Sequence, residues 1–332
     1  MKNFIKTISL IGLIFSLFFT NHLEAKKSIK KSYVTCQLNG QLGNQMHQIA
    51  TTLAYAWDHG VTPVFPDLKR TDFNIPMNHK RVFFRLDDSF LPRPIKHVFV
   101  HRNLFEKKEI PVKPDLELRG FFQTWKYFDC YREKIMKIFA LKPQELRQMQ
   151  SKYAELLNHP CIVGVHVRTF NKEWSKRLPF VGLSYYEKAL NFFPQEALFV
   201  VFSDRINWCK HHFKKFNRPM IFIEGNDHIE DLFLMSMLKH NIIANSSFSW
   251  WAAYLNRNLD KIVIAPSYFG CPTNSLTRKI THANLPEWVT IESNRDHLVD
   301  PYPEDMYVYD AVSQSIDTQA KGKIGLSKSL KN

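Results

Sequence analysis

The sequence predicts an α/β protein of two lobes, of which the C-terminal one is a doubly wound parallel sheet. Three observations lead to this fold class. Between residues 161 and 266, short continuous apolar runs alternate with helix-like segments, as in parallel strands that helices cover on both faces. The 332 residues are long enough for two lobes. With 45% hydrophobic residues, 11 Gly and 17 Pro, the composition excludes global disorder and a fibrous protein.

The N-terminal half opens with a strand, a glycine turn and a helix. The pattern predicts the strand over Tyr33–Leu38 and the helix over Asn44–His59, with Gly60 as its C-terminal cap. A less regular, Pro-rich region follows over residues 61–120. A helical pattern, interrupted near its middle by a proline, then covers Tyr131–Leu157.

The C-terminal half has the regular rhythm of a nucleotide-binding sheet. The predicted strands are Cys161–Val167, Ala197–Phe202, Met220–Glu224, Ile242–Ala244 and Lys261–Ala265. The predicted helices are Leu183–Phe193, Arg205–Phe216, His228–Lys239 and Phe248–Leu255. We therefore expect an N-terminal lobe over residues 33–160, a C-terminal lobe over 161–310 and a disordered tail over 311–332. Ligands of such folds bind at the carboxyl ends of the strands.

The N-terminus carries two lysines and then an apolar run from Thr7 to Thr20. The run is shorter than the roughly 18 residues of a spanning helix and has the size of a signal-peptide core, with Ala25 at a small-residue cleavage site. The alternative is that residues 1–25 form an uncleaved anchor. The lysines of the basic linker 26–32 would then favour a catalytic domain on the cytoplasmic side. The sequence leaves both alternatives open, and a membrane-associated location is expected.

The formal net charge of +14 at first suggests a polyanionic partner. Residues 1–160 carry 25 Lys and Arg against 14 Asp and Glu, whereas residues 161–310 carry 16 of each. The basic residues form no stripe interleaved with aromatic residues, which argues against nucleic acid. The excess of the first half fits a membrane surface or an anionic acceptor better.

The five cysteines are widely spread and no pair has CxxC spacing. This pattern argues against a zinc site and a dense disulfide framework, and it favours a reduced compartment, with one or two disulfides left open.

Polar residues follow several of the predicted strands. Gly43 and Asn44 lie in a strand–turn–helix junction, where backbone can approach a ligand closely. His166 and Arg168 share one face at the end of their strand, and an Arg there suits a diphosphate through bidentate contacts. Each has a structural alternative: an ordinary tight turn for the first pair, and a buried Arg paired with a carboxylate for the second.

Two further segments complete this set. Asp204 ends the next strand, where its carboxylate would accept hydrogen bonds from a base or a sugar, or would cap the following helix. Residues 245–248, Asn-Ser-Ser-Phe, place hydroxyls and an amide at a helix start, where they cradle phosphate oxygens or serve as a simple N-cap. The chain contains no P-loop, no Asp-x-Asp, no Gly-x-Ser-x-Gly and no His-Glu-x-x-His. These residues together indicate a phosphate site without a metal motif.

Five ordered stretches resemble the motifs of the α-1,2-fucosyltransferase family, glycosyltransferase family 11. The resemblance covers roughly residues 33–292. The stretches are Gly40-Gln-Leu-Gly-Asn-Gln-Met-His-Gln-Ile-Ala50, Gly120-Phe-Phe-Gln-Thr-Trp-Lys-Tyr-Phe128, Phe202-Ser-Asp204 with Trp208-Cys-Lys210, Asp231–Trp251, and Lys261-Ile-Val-Ile-Ala-Pro266. The family pattern of the first stretch is Gly-x-Leu-Gly-Asn-Gln-x-Phe-Gln-Tyr-Ala, and the family's Phe is His47 here.

The resemblance implies an inverting glycosyltransferase of the GT-B type, with two Rossmann-like lobes, no cofactor and no metal. The enzyme would transfer fucose from GDP-fucose to the 2-hydroxyl of a terminal galactose on a glycan, with the acceptor bound by the N-terminal lobe and the nucleotide sugar by the C-terminal lobe. Arg168 would neutralise the leaving diphosphate, and His166 would contact the nucleoside. Candidate bases are Glu173 and Asp204. The implied donor-binding residues are Gly43, Asn44, His166, Arg168, Asp204, Asn245, Ser246, Ser247 and Phe248.

The chain departs from the family pattern beside Arg168. Where the family has Arg-Arg-Gly-Asp, this chain has Thr169 and Asn171 in place of the second Arg and the Asp. The family's Asp-Asp is Asp204-Arg205 here. Two alternatives therefore stand beside the fucosyltransferase: a related transferase with a different nucleotide sugar or acceptor, and a non-catalytic relative that binds nucleotide or carbohydrate.

Overall fold

The computed structural model describes residues 32–102, 104–169, 178–269 and 283–293. The chain divides into two compact units, Met1–Ala140 and Leu141–Asn332. The boundary expected from the sequence lies at 160/161, because the apolar rhythm of the second sheet begins only there. The predicted signal or anchor, most of the basic linker, Glu173, Asn171 and the predicted tail lie outside the described residues.

The first unit contains a four-stranded, all-parallel sheet. Its strands are β1 (Tyr33–Cys36), β2 (Thr62–Pro63), β3 (His97–Val100) and β4 (Leu116–Arg119), in the spatial order β2-β1-β4-β3. Every residue of β1 is buried, as expected of a central strand with both faces covered. The order turns back between β1 and β4, and the carboxyl ends of strands at such a reversal point are where folds of this class bind ligands.

A long helix, α1 (Leu42–His59), follows β1 and packs on the sheet. It ends as predicted at Gly60, whose φ of 63° is the left-handed conformation that glycine adopts without a steric penalty. Its buried face includes several amide and imidazole side chains. Among the described residues of this unit, the other helices are α2 (Ile75–Asn78), which continues as a π-helical turn over His79–Phe83, and α3 (Arg132–Phe139), with 3-10 turns at Pro66–Lys69, Trp125–Tyr127 and Asp129–Tyr131.

The second unit contains a six-stranded, all-parallel sheet in the order β10-β9-β8-β5-β6-β7. Its strands are β5 (Ile162–Val167), β6 (Leu198–Ser203), β7 (Met220–Phe222), β8 (His240–Ile242), β9 (Val263–Pro266) and β10 (Val289–Ile291). Counted within this unit, the order is the 3-2-1-4-5-6 of a Rossmann sheet. The direction of winding reverses between β5 and β8, which pair directly. The predicted α/β class, with a doubly wound parallel sheet in the C-terminal lobe, is confirmed.

The helices of the second unit lie where the sequence predicted them, apart from a few terminal residues. The predicted helix Tyr131–Leu157 breaks at Pro143 as expected, but α3 belongs to the first unit and the rest to the second. A capping box at Asp227 and Glu230 begins α8. These helices are α4 (Pro143–Lys152), α5 (Ala154–Leu157), α6 (Leu183–Leu190), α7 (Ile206–His212), α8 (His228–Met237) and α9 (Ser247–Leu255).

Two further observations concern the described ranges alone. None of their helices is both long enough and apolar enough to cross a membrane. Their four cysteines are free thiols.

His47 allows a test of the packing of α1. The side chain is buried, its Nδ1 lies 3.0 Å from the Gly43 carbonyl oxygen, and burial lowers its pKa to about 4. The unfolded chain binds a proton at this site near pH 6.5 and the folded chain does not, so the stability present above pH 6.5 is lost as the pH falls toward 4. Between pH 7 and pH 5 we expect a loss of roughly 1–2 kcal/mol from this residue.

His47→Phe places the residue of the family pattern at this position and removes the titrating group. We expect the variant to lose less stability than the wild type over the same pH interval, as measured by urea unfolding at pH 7 and pH 5. An equal loss in both proteins would show that His47 is not buried in its neutral form.

Candidate functional site

The carboxyl ends of β5 and β8 meet at the reversal point of the second sheet. Val163, Val165 and Val167 pack into the core on one face of β5, so His166 projects to the opposite face. There its ring lies 5.4 Å from the ring of Phe248, in the first turn of α9. The structure thus brings together two of the segments that the sequence analysis selected separately.

His166 is neutral in this environment. Its side chain is only 6% exposed, and its Nδ1 has no hydrogen-bond partner among the described residues. Burial, and secondarily the positive charge of Arg168, lowers its pKa to about 3. Its backbone carbonyl accepts a hydrogen bond of 2.9 Å from the buried hydroxyl of Tyr186. The strand end is therefore fixed, and the imidazole keeps an unused polar atom.

Arg168, Asp204 and Thr169 form a polar network just beyond the ends of β5 and β6. The Nη1 atom of Arg168 lies 3.2 Å from Oδ2 of Asp204. The other carboxylate oxygen, Oδ1, accepts hydrogen bonds from the backbone N–H and the hydroxyl of Thr169, both 3.1 Å long. Thr169 is fully buried, whereas Arg168 and Asp204 are partly exposed. The network holds a permanent positive charge at the edge of the sheet where ligands bind.

This geometry excludes one of the two interpretations of Asp204, the helix cap. The helix that follows, α7, has Arg205 at its N-cap and no side-chain cap hydrogen bond. The carboxylate of Asp204 faces Arg168 and Thr169 instead. The capping alternative is therefore wrong, and the proximity of Asp204 to Arg168 comes from the parallel pairing of β5 with β6, which sets Val167 opposite Ser203.

The segment after β8 is a well-formed helix start. The Oγ atom of Ser246 accepts a hydrogen bond of 3.3 Å from the backbone N–H of Phe248, and α9 begins at Ser247. Ser246, Ser247 and Phe248 are partly exposed. The positive end of the helix dipole and the exposed hydroxyls therefore lie beside His166, in an arrangement suited to an anion.

Asn245 is buried and has a structural role. Its amide group donates to the backbone carbonyls of Pro179, at 2.8 Å, and Phe269, at 3.0 Å. These contacts tie the loop before α6 and the segment after β9 to the end of β8. Its Oδ1 is buried without a partner among the described residues, so a donor-binding role for Asn245 stays a prediction.

Gly43 and Asn44 lie in the first unit, at the reversal point of its own sheet. Gln123, in the loop after β4, donates a hydrogen bond of 2.7 Å from Nε2 to the side-chain oxygen of Asn44. The buried Gln48 donates to the carbonyl of Gly120 and accepts from the backbone N–H of Asn39. The two motifs of the first unit are thus joined at one sheet edge. Glu173, the other predicted site residue, lies outside the described residues.

The side chains that position the site were not predicted from the sequence. The hydroxyl of Tyr185 donates to the backbone carbonyl of Ile243 at 2.7 Å. In the same way, the hydroxyl of Tyr186 donates to the backbone carbonyl of His166. A buried Tyr needs a partner for its hydroxyl, and two consecutive Tyr residues at a predicted helix start were the available signal. Thr169 was noted only as a departure from a pattern. No group of three His, Cys, Asp or Glu side chains that would suit a metal ion occurs among the described residues.

The chain is similar in sequence to known sugar transferases. An alpha-1,2-colitosyltransferase of Escherichia coli is 35% identical over 47% of this chain and 57% of its own length. The chain spans just over half the length of this protein and of another Escherichia coli relative, 57% and 56% respectively. The human galactoside alpha-(1,2)-fucosyltransferase 1 is 29% identical over 77% of this chain and 74% of its own length.

A solved structure of the fucosyltransferase NodZ from Bradyrhizobium aligns with 67% of this chain and 91% of that chain, at 14% identity and a TM-score of 0.47. The family model of glycosyl transferase family 11 matches residues 5–292. Because this match covers most of the chain and contains both sheets, the protein belongs to glycosyl transferase family 11.

Proposed function

We propose that the protein is an inverting glycosyltransferase that moves fucose from GDP-fucose to the 2-hydroxyl of a terminal galactose on a glycan. The observation that carries this proposal is the position of Arg168, held by Asp204 at the reversal point of the second sheet, where doubly wound folds bind nucleotides. The names of two relatives, a galactoside alpha-(1,2)-fucosyltransferase and an alpha-1,2-colitosyltransferase, support the linkage and the acceptor.

In this reaction the galactose 2-hydroxyl oxygen attacks C1 of fucose, and the bond from C1 to the phosphate oxygen breaks. The GDP that leaves carries additional negative charge, so a fixed positive group beside it stabilises the transition state. A guanidinium has five N–H donors and can serve a carboxylate and a diphosphate together. Ser246, Ser247 and the first N–H groups of α9 would hold the remaining phosphate oxygens. His166 would contact the nucleoside as a neutral hydrogen-bonding group.

The proton of the 2-hydroxyl needs an acceptor. Of the two base candidates, Asp204 already accepts hydrogen bonds from Thr169 at one oxygen and pairs with Arg168 at the other. We therefore assign Asp204 the positioning of Arg168, which leaves Glu173 as the base candidate from the sequence. We also propose that the reaction needs no metal ion, since Arg168 and α9 supply the positive potential that a divalent cation would otherwise provide.

A second candidate is the transfer of a different sugar from its nucleotide diphosphate. The specific observation is Thr169, which stands beside Arg168 where the family pattern has a second Arg. Loss of that positive group changes the surroundings of the donor, and the 35% identical relative is named for a sugar other than fucose. Measuring the hydrolysis of several GDP-sugars in the absence of acceptor would separate the two candidates.

Arg168→Ala tests the main proposal. We expect transfer from GDP-fucose to lactose to fall at least ~100-fold, the usual effect of removing one group that stabilises developing charge. Release of GDP and formation of the fucosylated product would be measured by NMR. The wild-type protein should be equally active with and without EDTA. Arg147→Ala, an exposed arginine of α4, is the matched control and should have wild-type activity. Activity of Arg168→Ala within about threefold of the wild type would contradict the role of Arg168.

Thr169→Val tests the positioning of Arg168 through Asp204. Val keeps the shape of the buried side chain but removes the hydroxyl that donates to Asp204, a hydrogen bond of about 1 kcal/mol. We expect kcat to fall roughly fivefold with the KM for acceptor unchanged, and Thr169→Ser to restore kcat. A purely structural role would lower the melting temperature and leave kcat unchanged.

We also infer that the full chain associates with a membrane through the apolar run Thr7–Thr20 and the lysines that follow it. Cells that produce either the full chain or residues 27–332, which lack the apolar run, would be fractionated. The N-terminus of the purified full chain would then be sequenced. An intact N-terminus in the membrane fraction indicates an anchor, and cleavage after Ala25 indicates an exported protein. A soluble full chain with its N-terminus intact would contradict the inference.

A further inference from the structure

The loop after β2 presents an aromatic ring to solvent from a strained backbone. Phe73 has φ of 50° and Asn74 has φ of 58°, both in the left-handed region. Asn tolerates this conformation, but Phe adopts it rarely because its Cβ approaches the carbonyl oxygen. The side chain of Phe73 is nevertheless 40% exposed. The strain is therefore not offset by full burial of the ring.

A second strained aromatic residue in the same unit shows the contrast. Phe122, after β4, has φ of 49°. Its ring is fully buried and stacks on His101 with 5.0 Å between the ring centroids. Burial of a Phe side chain is a large favourable contribution that offsets local strain. The conformation of Phe122 is thus explained by packing, whereas that of Phe73 is not.

Buried polar groups hold Phe73 in place. The Nε2 atom of Gln45, a fully buried residue of α1, donates to the carbonyl of Phe73 at 2.9 Å and to that of Gly40 at 2.8 Å. Its Oε1 accepts a hydrogen bond of 2.8 Å from the buried amide of Asn78. The bonds to Phe73 and Asn78 fix the loop and the helix after it against α1, and the bond to Gly40 holds the turn that precedes α1.

A second set of contacts joins the same loop to the end of β1. Asn74 Nδ2 donates to Gln41 Oε1 at 3.0 Å, and Arg70 Nη1 donates to the carbonyl of Leu38 at 2.8 Å. Phe73 is therefore fixed at the carboxyl edge of the first sheet, beside the turn that precedes α1. This edge is the reversal point of the sheet, where folds of this class bind ligands.

We propose that Phe73 is the platform on which a pyranose ring of the acceptor glycan packs. The C–H groups on one face of a galactose ring are apolar and fit an exposed aromatic face, while the sugar hydroxyls need planar polar groups at its rim. Arg70 and Asp72, which form a partly exposed ion pair, provide such groups. The Arg70 guanidinium lies over one face of the Phe73 ring, 6.0 Å from its centroid, so the sugar would pack on the opposite face. That the sugar is an acceptor rests on the proposed function, whereas the platform itself rests on the positive φ and the exposure of Phe73 and on the hydrogen bonds that hold its loop.

Three substitutions of Phe73 test the platform. We expect Phe73→Ala to raise the KM for lactose at least tenfold, with the KM for GDP-fucose and the affinity for GDP unchanged. Phe73→Trp, which keeps an aromatic face, should stay within about threefold of the wild type. Phe73→Gly should have a melting temperature at least as high as that of Phe73→Ala, because both variants lose the ring and only glycine adopts a positive φ without strain, and it should raise the KM for lactose as much as Phe73→Ala does. A KM that follows the loss of the ring and not the stability of the variant is an outcome that a structural role would not give.

Phe90→Ala is the matched control. Phe90 lies in the same unit, is 80% exposed and carries Lys69 over its ring at 4.3 Å, and its backbone is not in the left-handed region. The KM of the Phe90→Ala variant for lactose should equal that of the wild type. An unchanged KM in Phe73→Ala, or an equal rise in Phe73→Ala and Phe90→Ala, would overturn the proposal. Loss of binding to anionic lipid vesicles with an unchanged KM for lactose would assign Phe73 to a membrane surface and also overturn it.

Direct binding of lactose separates this proposal from the proposed function. Ligand-observed NMR would be recorded with the wild type and with Phe73→Ala. If the wild type transfers no fucose but binds lactose, and Phe73→Ala does not, the platform stands and the fucosyltransferase proposal fails. If the wild type transfers fucose and Phe73→Ala binds lactose as well as the wild type does, the fucosyltransferase proposal stands and the platform fails. A wild type that neither transfers fucose nor binds lactose at millimolar concentration would overturn both.

Discussion

The second unit depends on the position of β5 at the centre of its parallel sheet. Because β5 pairs with β6 on one side and β8 on the other, every one of its residues is buried. A strand of this kind cannot carry a charged side chain along its length without a large desolvation cost. Charge is therefore confined to the residues just beyond its carboxyl end. Arg168 stands at this first permitted position, and the neighbouring strand end supplies the carboxylate that holds it.

The first unit meets the same constraint largely with neutral groups. Its reversal point lies between β1 and β4, where the amides of Asn44, Gln45, Gln48 and Gln123 fix the loops together with the partly exposed Arg70. Amides both donate and accept, so they satisfy the backbone groups of several loops at once without a buried charge. The hydrogen bonds that these amides make also offset the cost of the unfavourable backbone conformation at Phe73.

The sequence predicted the elements well where local patterns determine them. The buried strands, the cap at Gly60 and the break at Pro143 follow from apolar runs and backbone chemistry, which act over a few residues. The predictions were weaker where partners are distant in sequence. Thr169 and Asp204 are 35 residues apart, and Gln45 and Phe73 are 28 apart. Since tertiary packing alone brings such groups together, a local pattern favoured a helix cap for Asp204 and gave no signal for Phe73.

The protonation state of His166 limits the role that it can have in a reaction. Two causes lower its pKa to about 3, and burial is the larger of them, followed by the charge of Arg168. A diphosphate bound beside Arg168 would offset the second cause and leave burial in place. In the unliganded protein the imidazole is neutral at pH 7, and its buried Nδ1 has no hydrogen-bond partner among the described residues. A neutral ring with an unused polar atom is consistent with the proposed contact to the nucleoside, and it leaves Arg168 as the permanently charged group of this strand end, in line with its proposed role beside the diphosphate.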